Sequence, residues 1–324
     1  LTRAVDMVNI RAHKTITHRE RSSIMSAKSI GPRIGLSCAL STAFLANGAV
    51  DLPRTVAQAK WVLANGGDGV TMFGTTGEGA SIDVGERHAA LGALAASGLD
   101  LGKQVIAGVS AATVGEAVAQ ARVGYDHGVR GLLMTPPFYF PEPSEEGIFR
   151  WYAAVFEKLG AQLRDVLIYH IPSMTRVMFT PAIMTRLRKE FPNAIIGIKD
   201  STGQWDSAKG FLDTHKDLQI LVGDERLLAR AVREGGSGTI CGMANIRPDL
   251  LRPAAWEGKE DARIGACVAA IIADPFMPAV KALIAHREGD ANWRRMRPPV
   301  VELDEARANA LVKRVEAALA QKAA

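Results

Sequence analysis

The sequence predicts an α/β protein, a (β/α)8 TIM barrel followed by a C-terminal helical appendage. Three observations predict it. From Ile34 onward, eight short apolar runs alternate with longer stretches of helical periodicity. The runs are continuously apolar, as expected of parallel strands covered on both faces. Polar residues gather at their C-terminal ends, where such barrels place reactive groups.

The strand-like runs, in order, are IGLSCAL (34–40), GVTMFG (69–74), QVIAGV (104–109) and RGLLMTP (130–136), then VLIYHI (166–171), IIGIKD (195–200), QILVGD (219–224) and SGTICG (237–242). Amphipathic segments at 55–65, 84–96, 114–127, 145–159, 181–191 and 225–234 read as the intervening helices. The glycines of GG (66–67), DHG (126–128) and GG (235–236) close helices just before strands. Eight such units fit a barrel better than a doubly wound sheet, which is the alternative. After Pro248 the pattern is helical only, roughly 249–272, 276–286 and 304–321. The expected organisation is therefore an extension (1–33), disordered or misassigned, a barrel (34–246) and C-terminal helices (247–324).

With 48% hydrophobic and 23% charged residues, the chain has the composition of a globular protein. No apolar run approaches the roughly 18 residues of a membrane span, so no membrane role is expected, and the cytoplasm is the expected location. The net charge of +5 is local: residues 1–33 hold seven Lys/Arg against Asp6 and Glu20, and the remainder is balanced at 32 of each sign. No basic face for nucleic acid is indicated. Cys38, Cys241 and Cys267 are far apart in sequence and form neither a metal-ligand spacing nor a disulfide framework. Buried free thiols in a reducing compartment are the expectation.

The strand ends hold the chemistry. Lys199 closes the sixth run, where an ammonium ion is costly; burial disfavours the charged form, and a neutral amine is a nucleophile able to form a Schiff base with a ketone. The alternative is a structural lysine paired with Asp200 or a neighbouring carboxylate. Tyr169 ends the adjacent run and could relay protons from there. In GTTGEG (74–79), Gly74 and its fellow glycines let backbone N–H groups approach a carboxylate, and Thr75 and Thr76 add hydroxyl donors. An ordinary turn is the competing reading. Glu78 could cap or orient the loop. His170, next to Tyr169 on its strand, should face the opposite way.

Together, GTTGEG, YHIPS (169–173), GIKDSTG (197–203), VGDE (222–225) and GGSGTICGMAN (235–245) resemble the dihydrodipicolinate synthase and N-acetylneuraminate lyase family of class I aldolases. The resemblance implies a barrel with three C-terminal helices, assembled as a homo-oligomer, a tetramer or dimer. It implies that Lys199 forms the imine with pyruvate or another 2-keto acid, that Tyr169 is the relay phenol, and that Thr75 and Thr76 hold the keto-acid carboxylate. Tyr139, in PPFYFP, resembles the tyrosine that family members insert into a neighbouring subunit's site to complete the relay, and Ile240 stands where a backbone carbonyl faces the pyruvyl group. No metal or organic cofactor is implied.

The departures bear on the second substrate. Authentic dihydrodipicolinate synthases carry YNVPSR, whose arginine binds the distal carboxylate of the aldehyde; this chain has Met174 there, with Arg176 two residues on. Without that guanidinium, an anionic aldehyde loses a charge-assisted contact. The leading expectation is a Schiff-base aldolase or lyase of uncertain tail specificity. A 2-keto-3-deoxy sugar acid dehydratase or aldolase comes next, then the lysine-pathway synthase proper. A catalytically silent keto-acid sensor is the reading from a different class.

Overall fold

The structure, a computed structural model, describes residues 32–321. Eight parallel strands close into a barrel in sequence order: β1 (Gly35–Ala39), β2 (Gly69–Met72), β3 (Val105–Val109), β4 (Gly131–Met134), β5 (Val166–His170), β6 (Ile195–Asp200), β7 (Gln219–Val222) and β8 (Gly238–Cys241). β8 pairs with β1 to complete the ring. Each predicted run is present, trimmed at its ends where the chain turns into a loop.

The outer helices are α1 (Leu52–Ala64), α2 (Val84–Ala96), α3 (Val114–Asp126), α4 (Glu145–Leu159), α5 (Pro181–Glu190), α6 (Trp205–Thr214) and α7 (Leu228–Arg233). Caps set their starts: Asp83 and Glu86 form a reciprocal capping box on α2, and the Ser144 hydroxyl accepts from Gly147 N–H on α4. Gly66, Gly128 and Gly235 take positive φ between helix and strand, as their positions predict. Helix α6 is absent from the segments expected above, because its sequence mixes Gly and Thr into the apolar pattern. Its Ala208, Phe211 and Leu212 are nevertheless buried.

The C-terminal appendage is α8 (Pro248–Glu257), α9 (Ala262–Ile272), α10 (Phe276–Glu288) and α11 (Glu305–Leu319). The single helix expected over 249–272 is two, broken at Gly258, which adopts left-handed φ 65. No single helix among the described residues is long and apolar enough to cross a membrane.

The expectation for residues 1–33 lies outside the described residues except at Pro32 and Arg33. Arg33 is tied down, donating to the carbonyls of Ala255 (2.5 Å) and Trp256 (3.2 Å), and Arg130 donates to Pro32 O.

Two cores result from the closure. A large one lies between barrel and helices. A smaller one fills the barrel interior with Ile34, Ala39, Ile106, Leu133, Leu167, Tyr169, Ile171, Leu221 and Ile240. Between β5 and β6 the register slips: Val166 opposes Ile195, but Leu167 opposes Gly197. The extra residue reverses side-chain parity along β6. Ile195 packs in the outer core, so strict alternation would turn Lys199 outward as well. After the bulge Ile198 faces outward and Lys199 lies opposite Tyr169, on the interior side. A Cβ on Gly197 would lie 2.1 Å from Gln219 O, so this close strand approach requires glycine.

Candidate active site

At the C-terminal rim of β5 and β6, Tyr169 and Lys199 are register partners on adjacent strands. Lys199 Nζ lies 3.0 Å from the Tyr169 hydroxyl and 4.2 Å from its ring centroid. The phenol reaches on to Thr75 Oγ1 at 3.3 Å. Lys199 is 5% exposed and Tyr169 3%, so this chain of groups is screened from bulk water. Among the described residues no carboxylate forms an ion pair with Lys199. The expected alternative partner, Asp200, points the other way. It accepts from Thr202 N–H (2.9 Å), Thr202 Oγ1 (2.6 Å), Ser207 Oγ (2.5 Å) and His170 Nδ1 (3.3 Å). Burial works to raise the Asp200 carboxyl, but the hydrogen bonds from His170, Ser207 and Thr202 outweigh it and hold the group below its usual range. His170 is thus turned outward, as strand alternation predicts.

The loop after β2 is built from backbone bonds. Gly77 and Gly79 N–H both donate to Gly74 O at 3.1 Å, and Glu78 N–H donates to Thr75 O at 3.0 Å. A Cβ on Gly79 would sit 1.8 Å from Phe73 O, so glycine is obligatory there. In front of Gly74 the space is open. Thr76 is buried, and Thr75 half-buried toward the phenol.

Glu78 anchors this loop from behind. Its carboxylate pairs with Lys281 of α10, both side chains being essentially inaccessible, and accepts Arg297 N–H at 3.0 Å. Lys281 also donates to Arg295 O at 2.8 Å. Burial pulls the Lys281 ammonium down to about 8, with Glu78 opposing the shift. Arg87 supports the loop from α2, donating to Gly79 O (2.6 Å), Gly108 O (2.6 Å) and Ile82 O (3.0 Å) over the face of Phe73. Burial lowers its guanidinium to about 10. Sequence reading gave neither Lys281 nor Arg87 a place near the site. A charged residue inside an otherwise apolar helical stripe was the available signal in both.

Of the residues expected at the site, Lys199, Tyr169, Thr75, Thr76, Gly74 and Ile240 converge on the same rim, with Ile240 fully buried in the barrel interior. Tyr139 does not join them. It stands 83% exposed on the loop after β4, at φ 89, edge-on to Phe140. Two openings lie among the loops that follow the strands, and neither is lined by Lys199 or Tyr169. A recess of about 350 Å³ is lined by Ser173, Ser201, Gln204, Gly223, Asp224 and Arg226, against apolar groups from α9 and α10. A cleft of about 320 Å³ opens on Thr75 and is lined by Phe138, Ile171, Met174, Met277 and Val300. Arg176 lines neither. The cysteines are free and buried, and barrel closure sets Cys38 opposite Cys241 although they are far apart in sequence.

The sequence profile of the Dihydrodipicolinate synthetase family matches residues 33–318. An uncharacterized DapA-like lyase of Chloroflexus aurantiacus is 36% identical over 219 residues, 67% of this chain and 72% of the relative. The 4-hydroxy-tetrahydrodipicolinate synthase of Azoarcus sp. is 33% identical over 218 residues, again 67% and 72%. The crystal structure of dihydrodipicolinate synthase from Agrobacterium tumefaciens str. C58 superposes with a TM-score of 0.85 at 40% identity, covering 88% of this chain and 99% of that one.

Proposed function

The chain belongs to the dihydrodipicolinate synthetase family of aldolases and lyases, and from that premise we propose that it is a Schiff-base enzyme acting on pyruvate or a related 2-keto acid. One observation carries the reading. A buried lysine amine with no carboxylate partner among the described residues sits 3.0 Å from a phenol that itself contacts Thr75.

In this reading Lys199 Nζ adds to C2 of the keto acid, and the former carbonyl oxygen leaves as water. Tyr169 delivers and collects the protons for both steps. The resulting iminium withdraws electrons from C3. Loss of a C3 proton gives an enamine that attacks an aldehyde carbon, whose oxygen takes up a proton. In reverse, the C3–C4 bond breaks, its electron pair forms the enamine, and the C4 hydroxyl releases its proton as the tail departs as an aldehyde. In the cleavage direction the enamine then takes up a proton at C3, and in both directions water hydrolyses the resulting iminium and restores the amine. Thr75 and Thr76, with the backbone N–H groups of the loop beginning at Gly74, hold the C1 carboxylate, and the Ile240 carbonyl faces the pyruvyl group.

Exposed Tyr139 serves a second copy of the chain, entering its site on the Thr75 side to complete the relay, so the active enzyme is a homo-oligomer. Three free, buried cysteines fit a reducing, cytoplasmic setting. Met174 in place of an arginine weakens the case for an anionic aldehyde partner.

The test is the intact mass after incubation with pyruvate and borohydride, followed by peptide mapping. A reduced pyruvyl adduct on Lys199 is expected. A folded protein that stays unlabelled, beside a labelled control aldolase, rejects the reading.

A further inference from the structure

If the reading above holds, the loop after β2 must grip the C1 carboxylate, and this inference rests on that reading. Among the described residues the N–H groups of Thr75 and Thr76 have no hydrogen-bond acceptor in the chain, and two successive free N–H groups form a concavity suited to an anion. On either side of them stands a non-glycine residue in the left-handed region, Phe73 at φ 58 and Glu78 at φ 55. A residue with a side chain disfavours this conformation, so it persists only where the surroundings enforce it.

A buried cation enforces it at each end. At Phe73, the Arg87 guanidinium lies 4.8 Å from the ring centroid and donates to Gly79 O at 2.6 Å. At Glu78 both carboxylate oxygens are engaged: Oε1 accepts from Lys281 Nζ, and Oε2 accepts from Arg297 N–H at 3.0 Å. Lys281 Nζ is fixed in turn by Arg295 O at 2.8 Å and by the Phe44 ring, 4.2 Å away. Between the two ends, Thr42 Oγ1 donates to Gly77 O at 2.8 Å. The two cations differ in origin. Arg87 belongs to α2 of the barrel, whereas Lys281 belongs to α10 and Arg297 to the segment that follows it. The C-terminal appendage therefore shapes a loop of the barrel rim. Lys281 is inaccessible and paired, so it reaches no substrate and acts only through Glu78.

We propose that Glu78 and Lys281 are positioning residues for the keto-acid carboxylate. By holding Glu78 in its left-handed conformation from α10, the pair keeps the Thr75 and Thr76 N–H groups converged, so that the appendage sets keto-acid affinity while Lys199 supplies the chemistry.

The test compares two ketones on the full chain, pyruvate and acetone, by borohydride trapping over a range of concentrations with peptide mapping at Lys199. Both offer a ketone to the amine, but only pyruvate carries a carboxylate. Glu78→Gln keeps the side-chain shape and has a single acceptor oxygen, so one of the two contacts is lost. It should lower the preference for pyruvate over acetone about tenfold, through a higher half-saturating pyruvate concentration and not through a slower limiting rate. Glu78→Gln/Lys281→Met, which buries no unpaired charge, should lower the preference likewise, and it carries the comparison if the single variant does not fold. A parent-like preference in the folded variants overturns the inference, as does an equal loss of labelling by both ketones, which a merely structural role would give. Absence of the pyruvate adduct in the parent protein removes the Schiff-base reading and this inference with it.

Discussion

Lys199 and Lys281 are both buried lysines, and the contrast between them separates the proposed reactive group from a structural one. Lys281, fully buried, meets Glu78 and the Arg295 carbonyl. Lys199, 5% exposed, meets a phenol and, among the described residues, no carboxylate. A buried ammonium is tolerable when a carboxylate and a carbonyl satisfy it, and the resulting pair then ties α10 to the loop that carries Thr75 and Thr76. A lysine whose partner is a phenol keeps its amine available and gains a group that can exchange protons with it. Burial alone thus does not separate the two lysines; the partner does.

The largest effect that would sharpen the contrast is Lys199→Ala. Turnover should fall by about 10⁴-fold or more, with no adduct and no loss of thermal stability, since no ion pair is broken. An adduct that survives on another lysine would break the comparison. Lys281→Ala should do the opposite, costing about 3–5 kcal/mol in denaturant unfolding because Glu78 is left buried and uncompensated. The double variant Glu78→Gln/Lys281→Met should be less destabilised than Lys281→Ala, whereas a cost equal to the sum of the single changes would show that the pair does not act as a unit. Tyr169→Phe, which keeps the packing and removes the hydroxyl of the proposed relay, should slow turnover about a hundredfold or more while leaving the unfolding midpoint near that of the parent.

The smallest expected effect is a pH dependence. The Lys281 ammonium is lowered to about 8 in the folded state, from an ordinary 10.5. Its contribution to stability is therefore fully present above 10.5 and is lost as pH falls through 8, because in between only the unfolded chain keeps the proton. Relative to Lys281→Met, the parent protein should gain stability as pH rises across that window. A flat difference would refute the assignment.

Much of this was legible in the residues. Apolar runs punctuated by Gly marked all eight strands, because a strand buried on both faces has few polar positions to obscure it. The outward turn of His170 followed from alternation alone. Helix α6 and the break at Gly258 were less legible, since local propensity there is weak and tertiary packing decides. The supporting charges were hidden for another reason. Lys281 and Glu78 are 203 residues apart in sequence, and no local pattern links an ion pair across that distance.

The sequence by itself determined the repeating strand and helix units, the family motifs and which residues are candidates for the proposed chemistry, because these depend on residue type and short-range spacing. Tertiary structure alone decided which way Lys199 points. The slip between β5 and β6 reverses the alternation along β6, and without it the same lysine would face the helices and not Tyr169. Closure likewise decided that Asp200 is consumed by His170, Ser207 and Thr202, leaving the amine without an ionic partner among the described residues, and that Gly223 lies close against Ser201 and Lys199, where a side chain would clash. These are matters of register and close approach between distant strands, and register is a property of paired chains that no single strand contains.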